Sequence, residues 1–154
     1  MPDPVVMDAG VQLSDRKGLD AYQKKIIEEV ESWLGTPYCY AKAEKGEGVD
    51  CSGLVMQVFN TTMNYKIPRN SAKQAEFCCP IKESDVRVGD LVFFATGKAP
   101  SKVSHVGIMV DDVSFIHSST SKGVCISKVN TPYYRRTFLM YGRLPRIADL
   151  LAEN

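Results

Sequence analysis

Three side chains have the types that nucleophilic hydrolysis by a thiol requires: Cys51, His105 and His117. Cys51 lies at the predicted N-terminus of a helix, so the positive end of the helix dipole favours its thiolate, the reactive form of cysteine. His105 and His117 are the only histidines, and both lie in strand-like segments downstream. A Cys–His pair needs the base within hydrogen-bond reach of the sulfur and a third group that orients the base. A neutral imidazole can accept the hydrogen bond of that third role, as His117 would.

The alternative is that Cys51 is a small buried hydrophobic residue and that both histidines are ordinary strand residues. For a lone cysteine and two histidines this is the more common situation. The local sequence favours catalysis instead. Gly53 leaves room beside the nucleophile for a backbone or a substrate, and Ser104-His105 adjoins a flexible loop at the end of a strand.

The segment before Cys51 is predicted to be a helix followed by a loop. From Leu19 to Leu34 apolar residues recur at helical intervals between glutamates, which indicates an amphipathic helix. Gly35 followed by Pro37 predicts the helix end, because glycine tolerates the left-handed conformation and proline cannot continue the hydrogen-bond ladder. The glycines and charges from Ala41 to Val49 predict an exposed loop.

A second helix carries the nucleophile. Its buried face runs from Leu54 to Met63, and either Asp50 or Ser52 can accept hydrogen bonds from the amides at its start. Cys51 is thus predicted at a helix N-terminus.

The second half of the chain is predicted to form strands, after a short helix capped by Asn70 or Ser71. The predicted strands are Leu91–Phe94, His105–Val110, Ser114–Ser118, Val124–Val129 and Phe138–Leu144, with a loop around Pro132 before the last. Because helices come first and strands second, we expect an α+β domain with an antiparallel sheet.

Composition indicates one soluble globular domain. The 154 residues suffice for an independent core, and 44% hydrophobic and 24% charged residues are ordinary values for such a domain. A formal charge of +1 argues against nucleic acid or anionic lipid as a partner. No apolar run has the length of a membrane span, and Met1 to Asp15 lacks the pattern of an export signal.

The five cysteines do not form a metal-binding pattern. They are Cys39, Cys51, Cys78, Cys79 and Cys125, with no C-x-x-C pair and no histidine at ligand spacing. We therefore expect neither a metal site nor a cofactor. Because five is odd, at least one thiol stays unpaired in a monomer if disulfides form.

A series of short motifs between about Gln23 and Pro145 follows one recognisable order. The motifs are Gly35-Thr36-Pro37-Tyr38, Val49-Asp50-Cys51-Ser52-Gly53-Leu54-Val55, Ile67-Pro68-Arg69-Asn70-Ser71 with Gln74, Gly89-Asp90-Leu91-Val92-Phe93-Phe94, His105-Val106-Gly107-Ile108 and Phe115-Ile116-His117-Ser118-Ser119. In type and order they resemble the NlpC family of papain-like cell-wall cysteine peptidases. The resemblance implies a papain-like fold with N-terminal helices packed on an antiparallel sheet.

The resemblance also implies roles for individual residues. Cys51 becomes the nucleophile, His105 the general base and His117 the group that orients it. Tyr38 helps to stabilise the oxyanion, although a packing aromatic is an equal alternative.

A further set of residues is assigned to substrate binding. By the same resemblance, Asp50 and Ser52 help to hold the free amino end of the substrate. We place Ser104, which precedes His105, with them.

In one respect the sequence departs from the family pattern. Family members usually carry a glycine pair soon after the Tyr of the Pro-Tyr motif, and here Ala41-Lys42-Ala43-Glu44-Lys45 stands instead. This difference concerns substrate detail, since such loops line the cleft. The thiols Cys39, Cys78, Cys79 and Cys125 have no counterpart in the motifs, and we expect them to be structural.

The implied substrate is a peptidoglycan stem peptide, cut between D-γ-glutamate and the diamino acid. The alternatives are an amidase or acyltransferase on the same scaffold, or a non-catalytic wall-binding module. We expect residues 1–154 to be a single catalytic domain with its core at about 20–146, without a separate wall-anchoring module. We further expect a monomer that acts in the periplasm or outside the cell.

Overall fold

The computed structural model describes residues 19–152 of the chain. Its helices are α1 (Ala21–Trp33), α2 (Cys51–Met63), α3 (Ser71–Phe77), α4 (Pro132–Thr137) and α5 (Pro145–Ala152). Its strands are β1 (Ala43–Glu44), β2 (Gly48–Val49), β3 (Cys79–Ile81), β4 (Leu91–Phe94), β5 (His105–Met109), β6 (Ser114–Ser119), β7 (Gly123–Lys128) and β8 (Phe138–Arg143). The prediction for Met1 to Asp15 lies outside the described residues.

Six strands form one sheet in the order β3-β8-β4-β5-β6-β7, and every neighbouring pair is antiparallel. The strands β4 to β7 follow one another as a meander, because short connections favour antiparallel neighbours. The predicted α+β class with an antiparallel sheet is confirmed. No helix within residues 19–152 is long and apolar enough to cross a lipid bilayer.

Both faces of the sheet are covered by apolar side chains. Helices α1 and α2 cover one face, where Phe93 and Ile108 join the main core, and Tyr134 of α4 covers the other face, together with Phe94 and Phe115. Alternate residues of a strand point to opposite faces, so Leu91–Phe94 is buried along its whole length. This explains its continuous apolar sequence.

The end of α1 brings the Pro-Tyr segment against the sheet. Helix α1 ends at Trp33, as the Gly35 signal predicts, and Gly35 has φ +86°. The Gly35 N–H donates to the Val124 carbonyl and the Val124 N–H donates to the Thr36 carbonyl, at 3.0 and 2.8 Å. The segment that carries Tyr38 is therefore anchored to β7.

The prediction of an exposed loop from Ala41 to Val49 is wrong in part. Strands β1 and β2 pair there as a small antiparallel hairpin around Gly46, which has φ +79°. Val49 is fully buried in the main core. A single apolar residue among charged ones gives almost no periodic signal, so sequence pattern alone does not reveal this hairpin.

The order of helices first and strands second is wrong for the last part of the chain. The predicted loop around Pro132 is the helix α4, and proline fits because its missing N–H has no partner in a first helical turn. Helix α5 extends the core beyond residue 146 through Ile147, which is fully buried. The short edge strand β3 was not predicted either.

The Gly89-Asp90 motif forms the turn into β4. Gly89 has φ +96°, and Asp90 is fully buried. Its carboxylate accepts two hydrogen bonds from the Arg143 guanidinium, from Nε and Nη2, both at 2.8 Å. Because a buried carboxylate requires such a partner, the pair ties the start of β4 to the end of β8.

All five cysteines lie within the described residues as free thiols. Cys78 and Cys125 are buried, and burial raises the pKa of Cys78 to about 12. Cys39 and Cys79 are exposed, so burial does not support the structural role that was expected of them.

Ala41 has φ +62°, a left-handed conformation that costs an L-residue roughly 1–2 kcal/mol. It falls in the stretch where, by the resemblance described above, a glycine pair is usual. We expect Ala41→Gly to raise the free energy of unfolding by about 0.5–1 kcal/mol, after the extra entropy of glycine in the unfolded chain is subtracted. Denaturant unfolding measures this. Ala148→Gly, within helix α5, is the control and should lower the free energy of unfolding. A loss of stability in both variants would contradict the assignment of backbone strain to Ala41.

Candidate active site

Cys51 is the first residue of α2 and lies opposite the start of β5. The Asp50 carboxylate caps this helix by accepting from the Gly53 N–H at 2.8 Å. The Cys51 sulfur is 4.0 Å from the Ser104 carbonyl oxygen. A Cβ at Gly53 would lie 2.7 Å from Asp50 Oδ1 and 3.1 Å from the Lys42 carbonyl, so glycine here leaves room for neighbouring backbone, as predicted.

The helix N-terminus does not by itself produce a thiolate at Cys51. Burial raises the pKa of the Cys51 thiol and the Asp50 charge raises it further, against the backbone N–H groups of Val106, Ser52 and Cys51, which lower it. The net direction is upward. The expected stabilisation of the thiolate is therefore outweighed by burial, and the thiol needs a base to lose its proton near neutral pH.

His105 and His117 form a direct pair across neighbouring strands. Nε2 of His105 lies 2.8 Å from Nδ1 of His117, and the two rings meet edge to face with centroids 5.0 Å apart. His105 opens β5 and is partly exposed, whereas His117 lies within β6 and is fully buried. The structure thus brings together the predicted base and its predicted orienting group.

His117 is held neutral by its surroundings. Burial lowers its pKa well below the usual value, and the nearby His105 lowers it further. The rings of Phe115 and Tyr134 lie 4.6 and 5.6 Å from the His117 ring, measured between centroids. Its second nitrogen, Nε2, is 2.9 Å from Ser127 Oγ. A neutral imidazole offers one donor and one acceptor, which suits an orienting role.

Asp50 and Ser52 are linked to Arg69. Asp50 Oδ1 accepts from Gly53 and from Arg69 Nη1, and Oδ2 accepts from Ala41 and from Arg69 Nη2, all at 2.8–3.0 Å. Arg69 Nη1 also donates to Ser52 Oγ at 2.9 Å. The four hydrogen bonds to Asp50 fill the usual acceptor capacity of its carboxylate. A substrate amine would therefore reach Asp50 only after Arg69 moved.

The Ser104 side chain braces its own loop. Its Oγ accepts from the backbone N–H groups of Thr96 and Gly97 at 2.8 and 3.1 Å, and lies 3.0 Å from Thr96 Oγ1. Its carbonyl, rather than its hydroxyl, is the part near Cys51.

Tyr38 lies beside the nucleophile on a backbone tied to β2. The Val49 N–H donates to the Pro37 carbonyl and the Cys39 N–H donates to the Val49 carbonyl, so Tyr38 is held between two hydrogen bonds. Burial raises the pKa of the Tyr38 hydroxyl, and the charges of Cys51 and Asp50 raise it further. The hydroxyl consequently keeps its proton and remains a hydrogen-bond donor.

Two contacts of the site were missed from the sequence. Arg69 lies in a recognised motif, but its pairing with Asp50 depends on folding across 19 positions. Ser127 gave no signal beyond being a polar residue in an apolar strand. A groove of about 570 Å³, lined among others by Ile81, Val113 and Tyr141, contains none of the predicted site residues.

Comparison with known proteins identifies relatives over most of the chain. The chain is 38% identical over 119 residues to a Haemophilus influenzae protein named "Probable endopeptidase", and the match covers 77% of this chain and 73% of that protein. It is 35% identical over 116 residues to Escherichia coli murein DD-endopeptidase MepS/murein LD-carboxypeptidase, covering 75% and 60%. A Bacillus subtilis gamma-DL-glutamyl hydrolase is 31% identical over 110 residues, which are 71% of this chain and 26% of that protein.

The fold and the sequence family agree with these relatives. The solved structure of an NlpC/P60 family protein from Bacillus cereus matches with a TM-score of 0.72 at 29% identity, over 84% of this chain and 42% of that one. The model of the NlpC/P60 family matches residues 35–143. The papain-like fold and the resemblance inferred from the motifs are confirmed, and the chain belongs to the NlpC/P60 family.

Proposed function

We propose that the chain is a cysteine endopeptidase that hydrolyses the stem peptides of peptidoglycan, with Cys51 as nucleophile, His105 as base and His117 as orienting group. One observation carries the proposal. The Cys51 thiol, at the start of α2, lies against the start of β5, where Nε2 of His105 is 2.8 Å from Nδ1 of a neutral His117. This arrangement contains each part that thiol catalysis requires.

The proposed reaction begins with proton transfer from the Cys51 sulfur to His105. Because Nε2 of His105 is engaged with His117, the transfer uses Nδ1. The thiolate attacks the peptide carbonyl, and the imidazolium then protonates the leaving amine as the C–N bond breaks. Water, deprotonated by the same nitrogen, releases the acyl group and restores the thiol.

Negative charge on the carbonyl oxygen needs donors in place before the attack. We assign this role to the Cys51 amide and the Tyr38 hydroxyl. The raised pKa of Tyr38 supports the assignment, because the hydroxyl stays protonated while the thiolate forms. One such donor is typically worth about 3 kcal/mol in the transition state.

The proposed substrate class is supported by the relatives, one named as a murein DD-endopeptidase and LD-carboxypeptidase and another as a gamma-DL-glutamyl hydrolase. We propose cleavage between D-γ-glutamate and the diamino acid. Such a substrate places the enzyme in the periplasm or outside the cell. The name of the Escherichia coli relative specifies a DD-endopeptidase, so a D,D cross-link is the competing bond.

Substrate binding is proposed for Asp50, Ser52 and Ser104. The side chains of Asp50 and Ser52 border the nucleophile but are bonded to Arg69, so their contact with a substrate amine requires Arg69 to exchange partners. Ser104 contributes most directly through its carbonyl, since its hydroxyl holds the loop at Thr96.

Digestion of defined muropeptides, followed by mass spectrometry, tests the function. Of the two candidate bonds, one substrate contains only the γ-D-glutamyl bond to the diamino acid, and a second also contains a D,D cross-link. We expect fragments from the first substrate. Release of intact stem peptide from glycan would indicate an amidase. Transfer of the acyl group to an added amine would indicate an acyltransferase. Binding of peptidoglycan without any cleavage would indicate a non-catalytic module and contradict the proposal.

A further inference from the structure

Ser127 lies directly behind the histidine pair. Its Oγ is 2.9 Å from Nε2 of His117, whose opposite nitrogen, Nδ1, is 2.8 Å from Nε2 of His105. Ser127 and His117 are both fully buried. We propose that Ser127 is a positioning residue that accepts from Nε2–H of His117 and thereby stabilises the tautomer that leaves His105 able to accept a proton from Cys51. This inference rests on the function proposed above.

The protons along this row of hydrogen bonds are linked. For His105 to accept the thiol proton at Nδ1, its own proton must sit on Nε2, which then donates to Nδ1 of His117. A neutral His117 consequently carries its proton on Nε2 and donates it to Ser127 Oγ. When Cys51 gives up its proton, the imidazolium still donates from Nε2, so His117 and Ser127 keep their protons through the cycle.

The other tautomer of His117 would block the reaction. With its proton on Nδ1, His117 would donate to Nε2 of His105. The proton of His105 would then sit on Nδ1 and occupy the lone pair that the thiol needs. The productive tautomer of His117 needs an acceptor opposite Nε2, because a buried N–H without a partner is costly. Ser127 Oγ lies at hydrogen-bond distance and can accept from this N–H, although the hydroxyl can also donate to a bare Nε2, so its role is to remove the penalty on the productive tautomer.

The neighbours of His117 hold its ring in place, so that the choice left is between tautomers. Phe115 and Tyr134 lie against the ring. Cys125, the cross-strand partner of His117, has its sulfur 3.8 Å from the same Nε2. A thiol is a weak acceptor, so it competes poorly with the hydroxyl of Ser127.

Two substitutions of equal shape isolate the hydroxyl. Ser127→Thr keeps it and Ser127→Val replaces it with a methyl group, so both share any packing strain. We expect kcat of the Val variant to be about tenfold below that of the Thr variant, with KM unchanged, because a lost buried hydrogen bond shifts such an equilibrium by about that factor. Ser114→Ala is the control. It removes a different buried serine hydroxyl, in the neighbouring strand β6, and should keep the wild-type kcat.

Nitrogen-15 NMR of ring-labelled histidine reports the tautomer without substrate, since protonated and bare ring nitrogens have separate chemical shifts. We expect His117 to be protonated on Nε2 in the wild type and in Ser127→Thr, with a shift toward Nδ1 protonation in Ser127→Val. A wild-type His117 protonated on Nδ1, or equal kcat in the two variants of an active enzyme, would overturn the inference. If the wild type cleaves no muropeptide, the proposed function fails, whereas the spectrum still decides the tautomer.

Discussion

Cys51→Ala is expected to retain the fold and to lose cleavage of a γ-D-glutamyl muropeptide, with kcat reduced by roughly 10⁴- to 10⁶-fold, as when other covalent nucleophiles are removed. The fold should persist because the cap of α2 is a bond between the Asp50 carboxylate and the Gly53 N–H, which does not involve the thiol. Alanine is also the best helix former. Turnover of a defined muropeptide measures the loss, and thermal unfolding verifies the fold.

Cys79→Ala is the matched control for that experiment. Cys79 is an exposed thiol at the start of β3, and its removal should leave turnover unchanged. A fully active Cys51→Ala enzyme would end the proposed mechanism, because no other thiol is assigned to the reaction.

His105→Ala is expected to be as damaging as loss of the thiol, and His117→Ala to be somewhat milder. His105 is proposed to take and return a proton, whereas His117 acts only through its 2.8 Å hydrogen bond to His105. Removing a residue that transfers a proton commonly lowers kcat more than removing a residue that orients it, by roughly 10–100-fold. Turnover of both variants at saturating muropeptide gives the comparison.

His117→Asn provides the control for the orienting role. An asparagine side chain carries a carbonyl acceptor, so it should recover part of the activity that alanine loses. Wild-type turnover in both alanine variants would contradict the assignment of the pair.

The surroundings of the nucleophile were predictable because their signals are local. Asp50 precedes Cys51 and an apolar helical run follows, so the cap, the nucleophile and the buried face are encoded within a few consecutive residues. The positions of His105 and His117 were predictable for the same reason, since each lies in an apolar segment typical of a strand, and these two strands pair as neighbours.

Features that depend on distant partners were not predictable in the same way. Asp50 gives no local sign that Arg69 neutralises it, and β7 gives no sign that Ser127 lies behind His117. The α4 helix was missed since Pro132 suggests a loop unless it is placed in the first turn. The raised pKa of Cys51 follows from burial, which is a property of the assembled fold.

The proposed proton exchange between His105 and Cys51 is tested most directly by the pH dependence of thiol alkylation. Cys51 would be followed by peptide mapping of iodoacetamide adducts, with exposed Cys39 and Cys79 as internal references. Because the pKa of the Cys51 thiol is raised, His105→Ala should need alkaline pH for alkylation. We expect the wild type to react at least about tenfold faster near pH 7, and the two proteins to converge at alkaline pH. Equal Cys51 alkylation rates in both proteins at pH 7 would contradict the account.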